Sequence, residues 1–354
     1  MKAIDTLQKL SIQKYLNKNK EADKNTYYFF VIVFLVILLV ALIFASICVG
    51  SSNIKIIDIL RAITSEEQLT TESRIITFVR IPRTLSAILA GCGLAISGLI
   101  LQSVLNNALA SPTIIGVNSG AGLFTALATA FFPANFSIMP VAAFLGAFLA
   151  TLLVYYAAQK TGASRMTIIL AGTAVSSLVG AMTDAVLILF PETVLDRTSF
   201  IIGGLSGVTM NRLLIPGAII LVSLLITSIF GYDLNVLSLG DQTSKSLGLN
   251  VDKCRFIFII LSSLFSGSVI SFAGLLGFIG LIVPHISRLI IGYDNRILIP
   301  TCALLGGSFA LFCDILARTL FSPYELPVGI IMSFLGSPFF IYLLLKQRRR
   351  LVDD

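Results

Sequence analysis

The chain has 354 residues, 56% of them hydrophobic and only 12% charged, with a net charge of +7 and a mean hydropathy of +0.95. A soluble protein carries about 25% charged residues, so this composition excludes a water-covered globular surface and assigns an integral membrane protein. The basic excess does not point to nucleic acid, because Lys and Arg sit at the ends of apolar runs, where orientation signals belong.

The apolar runs are long and continuous, not alternating, so the spans read as helices. At ~20 residues per span the chain has room for about ten. Residues 1–26 form a polar, Lys-rich segment, and Tyr27 to Gly50 is one uncharged span. That run is too long for the apolar region of a cleaved signal peptide. By the positive-inside rule the N-terminal segment is cytoplasmic. Residues 51–83 make the first outside segment, with Glu66, Glu67 and Glu72, and close on Arg80-Ile-Pro-Arg83.

No charge occurs from Thr84 to Gln159, which suits three spans at about 84–105, 113–132 and 137–158. The breaks fall at Asn106 to Pro112 and at Pro133-Ala-Asn135. Lys160 and Arg165 mark an inside loop before a span at about 166–189, and Glu192, Asp196 and Arg197 mark the next outside loop. Residues 198–210, broken by Gly and Ser, read as a short re-entrant or surface helix before a span at about 213–231.

Leu237 to Lys253 is a polar island between two uncharged spans. Gly248 follows a run of one or two helical turns, as glycine does just past a helix end. Leu239, Leu247 and Leu249 give it an apolar side. Two readings stand: a solvated loop, or a surface knob offered to another protein. Spans follow at about 254–273, then a shorter one ending near Arg288, then 297–317 and 326–345. The tail 346–354 begins with the basic run KQRRR and reads as cytoplasmic. This topology places 17 of the 25 Lys and Arg residues inside, in agreement with an even number of spans.

Small residues recur every four positions, as in Ala87/Gly91/Ala95, Ala142/Gly146/Ala150, Gly172/Ser176/Gly180, Gly306/Ala310 and Gly329/Ser333/Ser337. Such stripes let helix backbones approach in lipid and signify packing. Two run on into charge. Asp314 and Arg318 stand at i and i+4, the spacing of a helix-end ion pair. Asp184 has no obvious local partner, which leaves a pathway or interface role and a buried structural role both open. The five cysteines lack CxxC spacing and read as small hydrophobes. With one histidine, His285, the spans do not carry a ligand set for bare transition-metal ions.

No GxxxxGK[ST] phosphate loop occurs, so the chain does not hydrolyse ATP by that route. No metal-hydrolase motif or nucleophile elbow occurs either. An ion-coupled carrier would show several midplane carboxylates, and Asp184 alone approaches that description. The class left standing is the subunit of a pump driven by another protein. An autonomous ion-coupled carrier is the rival class.

Across roughly Arg80 to Lys346 the chain resembles the FecCD-type permease subunits of type II ABC importers, which serve iron–siderophores, haem and vitamin B12. The matching blocks are Arg80-Ile-Pro-Arg83-Thr-Leu, Gly98 to Gln102 with Asn107-Ala-Leu-Ala-Ser-Pro112, and Gly116-Val-Asn-Ser-Gly120. Further on come Leu239-Gly-Asp with Ser246-Leu-Gly248, Gly277-Phe-Ile-Gly-Leu-Ile-Val-Pro-His285-Ile-Ser-Arg288, Asp314-Ile-Leu-Ala-Arg318, Glu325-Leu-Pro-Val-Gly329 and Gly336-Ser-Pro-Phe-Phe340. The resemblance implies an all-α fold of ten spans in one domain, residues 27–345, with spans 2–5 and 7–10 as an inverted repeat. It also implies pairing with a second permease subunit, identical or homologous, two cytoplasmic ATPases below and a substrate-binding protein above. ATP with Mg would belong to the ATPase, and no cofactor to this chain. The loop 233–253 would dock the ATPase, through Leu239, Gly240, Asp241, Ser244, Leu247 and Gly248, with Ser244 where alanine is usual and a small-for-small exchange expected to be tolerated. Arg80, Arg83 and Arg318 would face outward to the binding protein's glutamates. Asn107 and Pro112 would shape the cytoplasmic mouth, with Ala108 replacing a proline and loosening it, and Asp184 and Ser333 would line the pathway. The cargo implied first is an iron–siderophore, with haem and vitamin B12 as alternatives. An organic chelate needs no metal ligands in its path.

Overall fold

The computed structural model describes residues 2–49, 71–133, 135, 137–160 and 164–352. Of the expected outside segment 51–83, residues 51–70, with Glu66 and Glu67, lie outside the described residues, as do the side chains of Glu72, of 2–23 and of the basic run 346–350. Ten helices correspond to the ten predicted spans: α1 Lys2–Cys48, α2 Ile81–Val104, α3 Val117–Phe131, α4 Ile138–Gln159, α5 Arg165–Leu189, α6 Met210–Ile229, α7 Val251–Ala273, α8 Ile279–Ile291, α9 Asn295–Thr319 and α10 Val328–Val352. Seven are long and apolar enough to cross a membrane by themselves. The apolar parts of α3, α8 and α10 are shorter. At 1.5 Å per residue α3 covers about 22 Å, short of a ~30 Å hydrocarbon core. A 3₁₀ turn, Pro112–Ile115, extends it on one side. α10 differs from expectation, because it continues to Val352 through the basic run with no break at 345. Lys, Gln, Arg and Leu are all good helix formers.

Spans 2–5 and 7–10 pack as an inverted repeat. α2 lies against α9 as α7 lies against α4, and α2 and α7 cross at the centre. Glycine makes the first of these crossings: a Cβ on Gly91 would sit 2.0 Å from the Gly306 carbonyl oxygen. In the second, Gly267 meets Phe144 and Ala147. Without a hydrophobic drive between helices in lipid, such close backbone packing is what holds the bundle. α2 is the most deeply buried of the long spans and α1 the least.

α8 is short because its first part is irregular backbone, Gly274 to Phe278, with positive φ at both ends of that turn. Backbone at membrane depth must be satisfied inside the protein. Here the Leu275 amide donates to the Phe200 carbonyl at 2.9 Å and the Gly204 amide to the Ala273 carbonyl at 2.8 Å. Residues 198–210, expected as a short re-entrant or surface helix, hold only the end of a short helix, Val194–Ile202, followed by a loop that pairs with the α7–α8 turn.

The chain direction separates two ends of the bundle. One carries the loop between α6 and α7, the turn after α2 and the loop between α8 and α9. The N-terminal part of α1 reaches the same end, where the Tyr27 hydroxyl donates to the Ile290 carbonyl at 3.1 Å. The other end carries Arg83, Asp314 and Glu325.

Candidate functional site

The polar island folds as two short helices, Gly231–Ser238 and Asp241–Ser246. Gly240, at φ +108°, makes the bend between them, and Gly248, at φ +86°, ends the second. Both are conformations that L side chains rarely adopt. The helices are tied to each other and to the bundle. Ser244 is fully buried, its Oγ 2.7 Å from the carbonyl oxygens of both Val236 and Gly240. It therefore does more than fill the place of a small residue, because its hydroxyl clamps the second helix onto the first. Both Asp241 carboxylate oxygens accept from Arg255 Nη2 of α7 at 2.8 Å. Arg165, at the start of α5, lies 3.3 Å from Asp241 and donates to the Leu237 carbonyl at 3.0 Å. Burial pushes the Asp241 carboxyl up, but the hydrogen bond and charge of Arg255, with Arg165 and Lys245, outweigh it and hold the carboxyl below its ordinary value.

A second brace comes from the loop before α9. Asn235 Nδ2 donates to Asp294 at 2.8 Å, and the Asn295 amide donates to Asn235 Oδ1 at 2.7 Å. The Arg296 side chain, aided by Asn235, draws the Asp294 carboxyl down to about 2 against the cost of its partial burial. On this braced scaffold Leu239 and Leu247 remain 60% and 62% exposed. The segment thus holds two apolar side chains out from a braced backbone.

The three arginines at the opposite end differ from expectation. They do not face outward: Arg80, Arg83 and Arg318 are buried and engage the chain itself. Arg83 bridges Asp314 at 2.9 Å and Glu325 at 2.6 Å. Arg318 meets the same Asp314 at 3.1 Å, as its i,i+4 spacing predicted. Arg318 also donates to the carbonyls of Ser46 and Val49 and to Ser46 Oγ, and Arg80 donates to the carbonyls of Ile47 and Cys48. The last carbonyls of a helix have no intrahelical partner and carry its negative dipole end. Two of the arginines are thus drawn in as caps for α1, and Asp314 compensates the buried charge. Arg83 and Glu325 border a cavity of about 540 Å³ that Arg212, Ser199 and Ser206 also line.

Of the pathway candidates, Asn107 forms a tight turn, its Oδ1 accepting from the Leu109 amide at 2.9 Å. The turn is thus pinned although Ala108 stands where a proline was expected. Pro112 is buried and opens the 3₁₀ turn. Asp184 is exposed and has a partner after all, Arg197 of the short helix 194–202, at 3.3 Å. That exposure rules against a buried structural role. Ser333 is exposed on α10, bonds back to the Gly329 carbonyl at 2.8 Å and lines a cavity of about 500 Å³ with Ile202, Phe334 and Ser337. The structure keeps these residues in separate places: Asn107 and Pro112 at the end that carries the α6–α7 loop, Asp184 and Ser333 on α5 and α10. Sequence reasoning missed Arg165, Arg255, Asn235 and Asp294 as braces. The first two were visible only as charges at the ends of uncharged runs.

The fold is that of a polytopic helical membrane protein with a braced polar segment at one end. Comparison with known proteins makes this specific. The model of the FecCD transport family matches residues 38–346. The Fe(3+)-citrate import permease YfmD of Bacillus subtilis is 36% identical over 307 residues, 86% of this chain and 90% of that protein. The hemin transport permease HmuU of Yersinia pestis is 35% identical over 281 residues, 77% and 83% of the two chains. The cobalamin import permease BtuC of Halobacterium salinarum is 36% identical over 278 residues, covering 78% and 74%. A solved metal-chelate type ABC transporter in an inward-facing conformation superposes with a TM-score of 0.79 at 29% identity, covering 89% of this chain and 99% of that one. The chain belongs to the FecCD transport family. It is a multi-pass membrane permease of the ABC importer class, a transport subunit and not an enzyme, and such permeases work with an ATPase and a substrate-binding protein.

Proposed function

We propose that this chain forms the translocation pathway for an iron–siderophore complex, delivered by an extracytoplasmic binding protein and driven by ATP with Mg on two cytoplasmic ATPases. A second permease subunit, identical or homologous, completes the pathway. The observation that carries the reading is the braced segment 233–253, whose exposed Leu239 and Leu247 offer an ATPase a rigid apolar hold. Relatives named for Fe(3+)-citrate and iron-hydroxamate import favour an iron chelate as cargo. The charge bias favours the coupling end, with both termini, as the cytoplasmic one. The exposed faces of α5 and α10, with Asp184 and Ser333, suit the wall of a pathway completed by the partner.

The binding protein would dock at the end carrying Arg80, Arg83 and Arg318. Because these guanidiniums are engaged internally, direct pairing of Arg83 with a partner carboxylate requires Glu325 to give way. The coupling test is the double variant Leu239→Asp/Leu247→Asp. It should lose the co-purifying ATPase while the permease still reaches the membrane. Retention of the ATPase would sink the coupling role. Uptake into proteoliposomes of the complete transporter, with labelled ferric siderophore, haem and cobalamin compared, decides the cargo.

A further inference from the structure

α5 joins two places that are far apart in sequence. At its first residue, Arg165 holds the coupling segment through Asp241 at 3.3 Å and the Leu237 carbonyl at 3.0 Å. Two helical turns on, Gly172 lies against the turn that follows α2. A Cβ there would sit 1.8 Å from the Ile114 carbonyl oxygen, so the contact is backbone to backbone. Ser119 and Ser176 add a hydroxyl contact at 3.3 Å between α3 and α5. The other face of α5 is open, with Thr173, Ser177, Leu178 and Asp184 exposed and free space beside Gly180. A helix held at these points and unpacked on its far side can shift as one body.

The two arginines on Asp241 are not equivalent. Arg255 is almost wholly buried and gives both carboxylate oxygens a 2.8 Å bond, so it anchors the segment to α7. Arg165 is partly exposed and its ion pair is longer, yet it also grips the end of the first short helix through Leu237. We propose that Arg165 is the positioning residue that carries displacement of segment 233–253 into α5 and, through Gly172 on Ile114, into the turn at 107–115. This rests on the reading of that segment as the ATPase dock.

The test uses the full permease–ATPase complex in proteoliposomes and needs no cargo. Thr113, exposed on the turn, is changed to Cys and its labelling by an impermeant maleimide is followed by mass spectrometry, with and without ATP and vanadate. The expected result is a labelling rate that changes several-fold with nucleotide in the otherwise native chain. Arg165→Gln should abolish that change, with co-purification and ATP hydrolysis measured alongside and falling less than the labelling response does, because Arg255 still anchors Asp241. Arg165→Lys should restore part of it, whereas a merely structural role would lower assembly, hydrolysis and labelling response together. A full nucleotide response in Arg165→Gln, or none in the native background, overturns the proposal. Failure of the docking reading itself shows separately, as an ATPase that still co-purifies with Leu239→Asp/Leu247→Asp.

Discussion

Ser244 shows what one hydroxyl contributes. Alanine fills the same volume but leaves the Val236 carbonyl without this partner and the two short helices without their clamp. A buried hydrogen bond is worth about 1 kcal/mol. Ser244→Ala should therefore lower the stability of the purified permease by about that amount, read as a small fall in its thermal midpoint, and Ser244→Leu, which overpacks a closed site, should lower it further. Asp314 carries more. It is fully buried between Arg83 and Arg318, and removing one partner of a buried ion cluster costs about 3–5 kcal/mol because the remaining charges stay buried. Asp314→Ala should unfold at markedly lower denaturant than the native chain. Near-native stability would mean that Glu325 and the α1 carbonyls suffice. The Asp314–Arg318 contact was legible in the sequence from its spacing. The Arg83–Asp314 contact was not, because 231 residues separate them and nothing local to either announces the other.

At the scale of elements, the small-residue stripes through Gly91, Gly146 and Gly306 are packing surfaces as expected, whereas the stripes that contain Gly180 and Ser333 run out into open space. Gly91 on α2 meets Gly306 on α9 so closely that a Cβ would overlap backbone atoms. Gly91→Val should push the two helices apart and abolish stable expression in the membrane, whereas Gly122→Ala, where a Cβ meets nothing within 4 Å, should be silent. Normal expression of Gly91→Val would show that the crossing can relax. The stripes did not reveal which helix each would meet, because a small-residue face is compatible with any other. The polar island was legible as a short helical run before Gly248. Its rigidity was not, because the braces come from α5, α7 and the loop before α9.

At the scale of the whole molecule, the burial of Arg80, Arg83 and Arg318 changes how docking must be tested. Reversing the charge of Arg83 would strand Asp314 and Glu325, and lost uptake could then report misfolding alone. Glu325 is the informative site, since it is partly exposed and neutralises Arg83 from the side of the cavity that both border. Glu325→Gln should leave the fold intact and speed association of the loaded binding protein several-fold at low salt, with the gain fading as salt rises. An unchanged association rate would remove Arg83 from the docking surface.

By itself the sequence determined the membrane location, the number and approximate bounds of the ten spans, the absence of a phosphate loop and the position of the polar segment between the sixth and seventh spans. These follow from hydropathy, charge placement and local motifs, which act over a few residues to one helix length. Tertiary structure alone decided which way the charged groups turn. A guanidinium at a span end can face water or cap a neighbouring helix, and the choice depends on whether carbonyls and a carboxylate from distant segments converge on it. For Arg80, Arg83 and Arg318 they do, as they do for Asp241 and the two arginines that hold segment 233–253 in place.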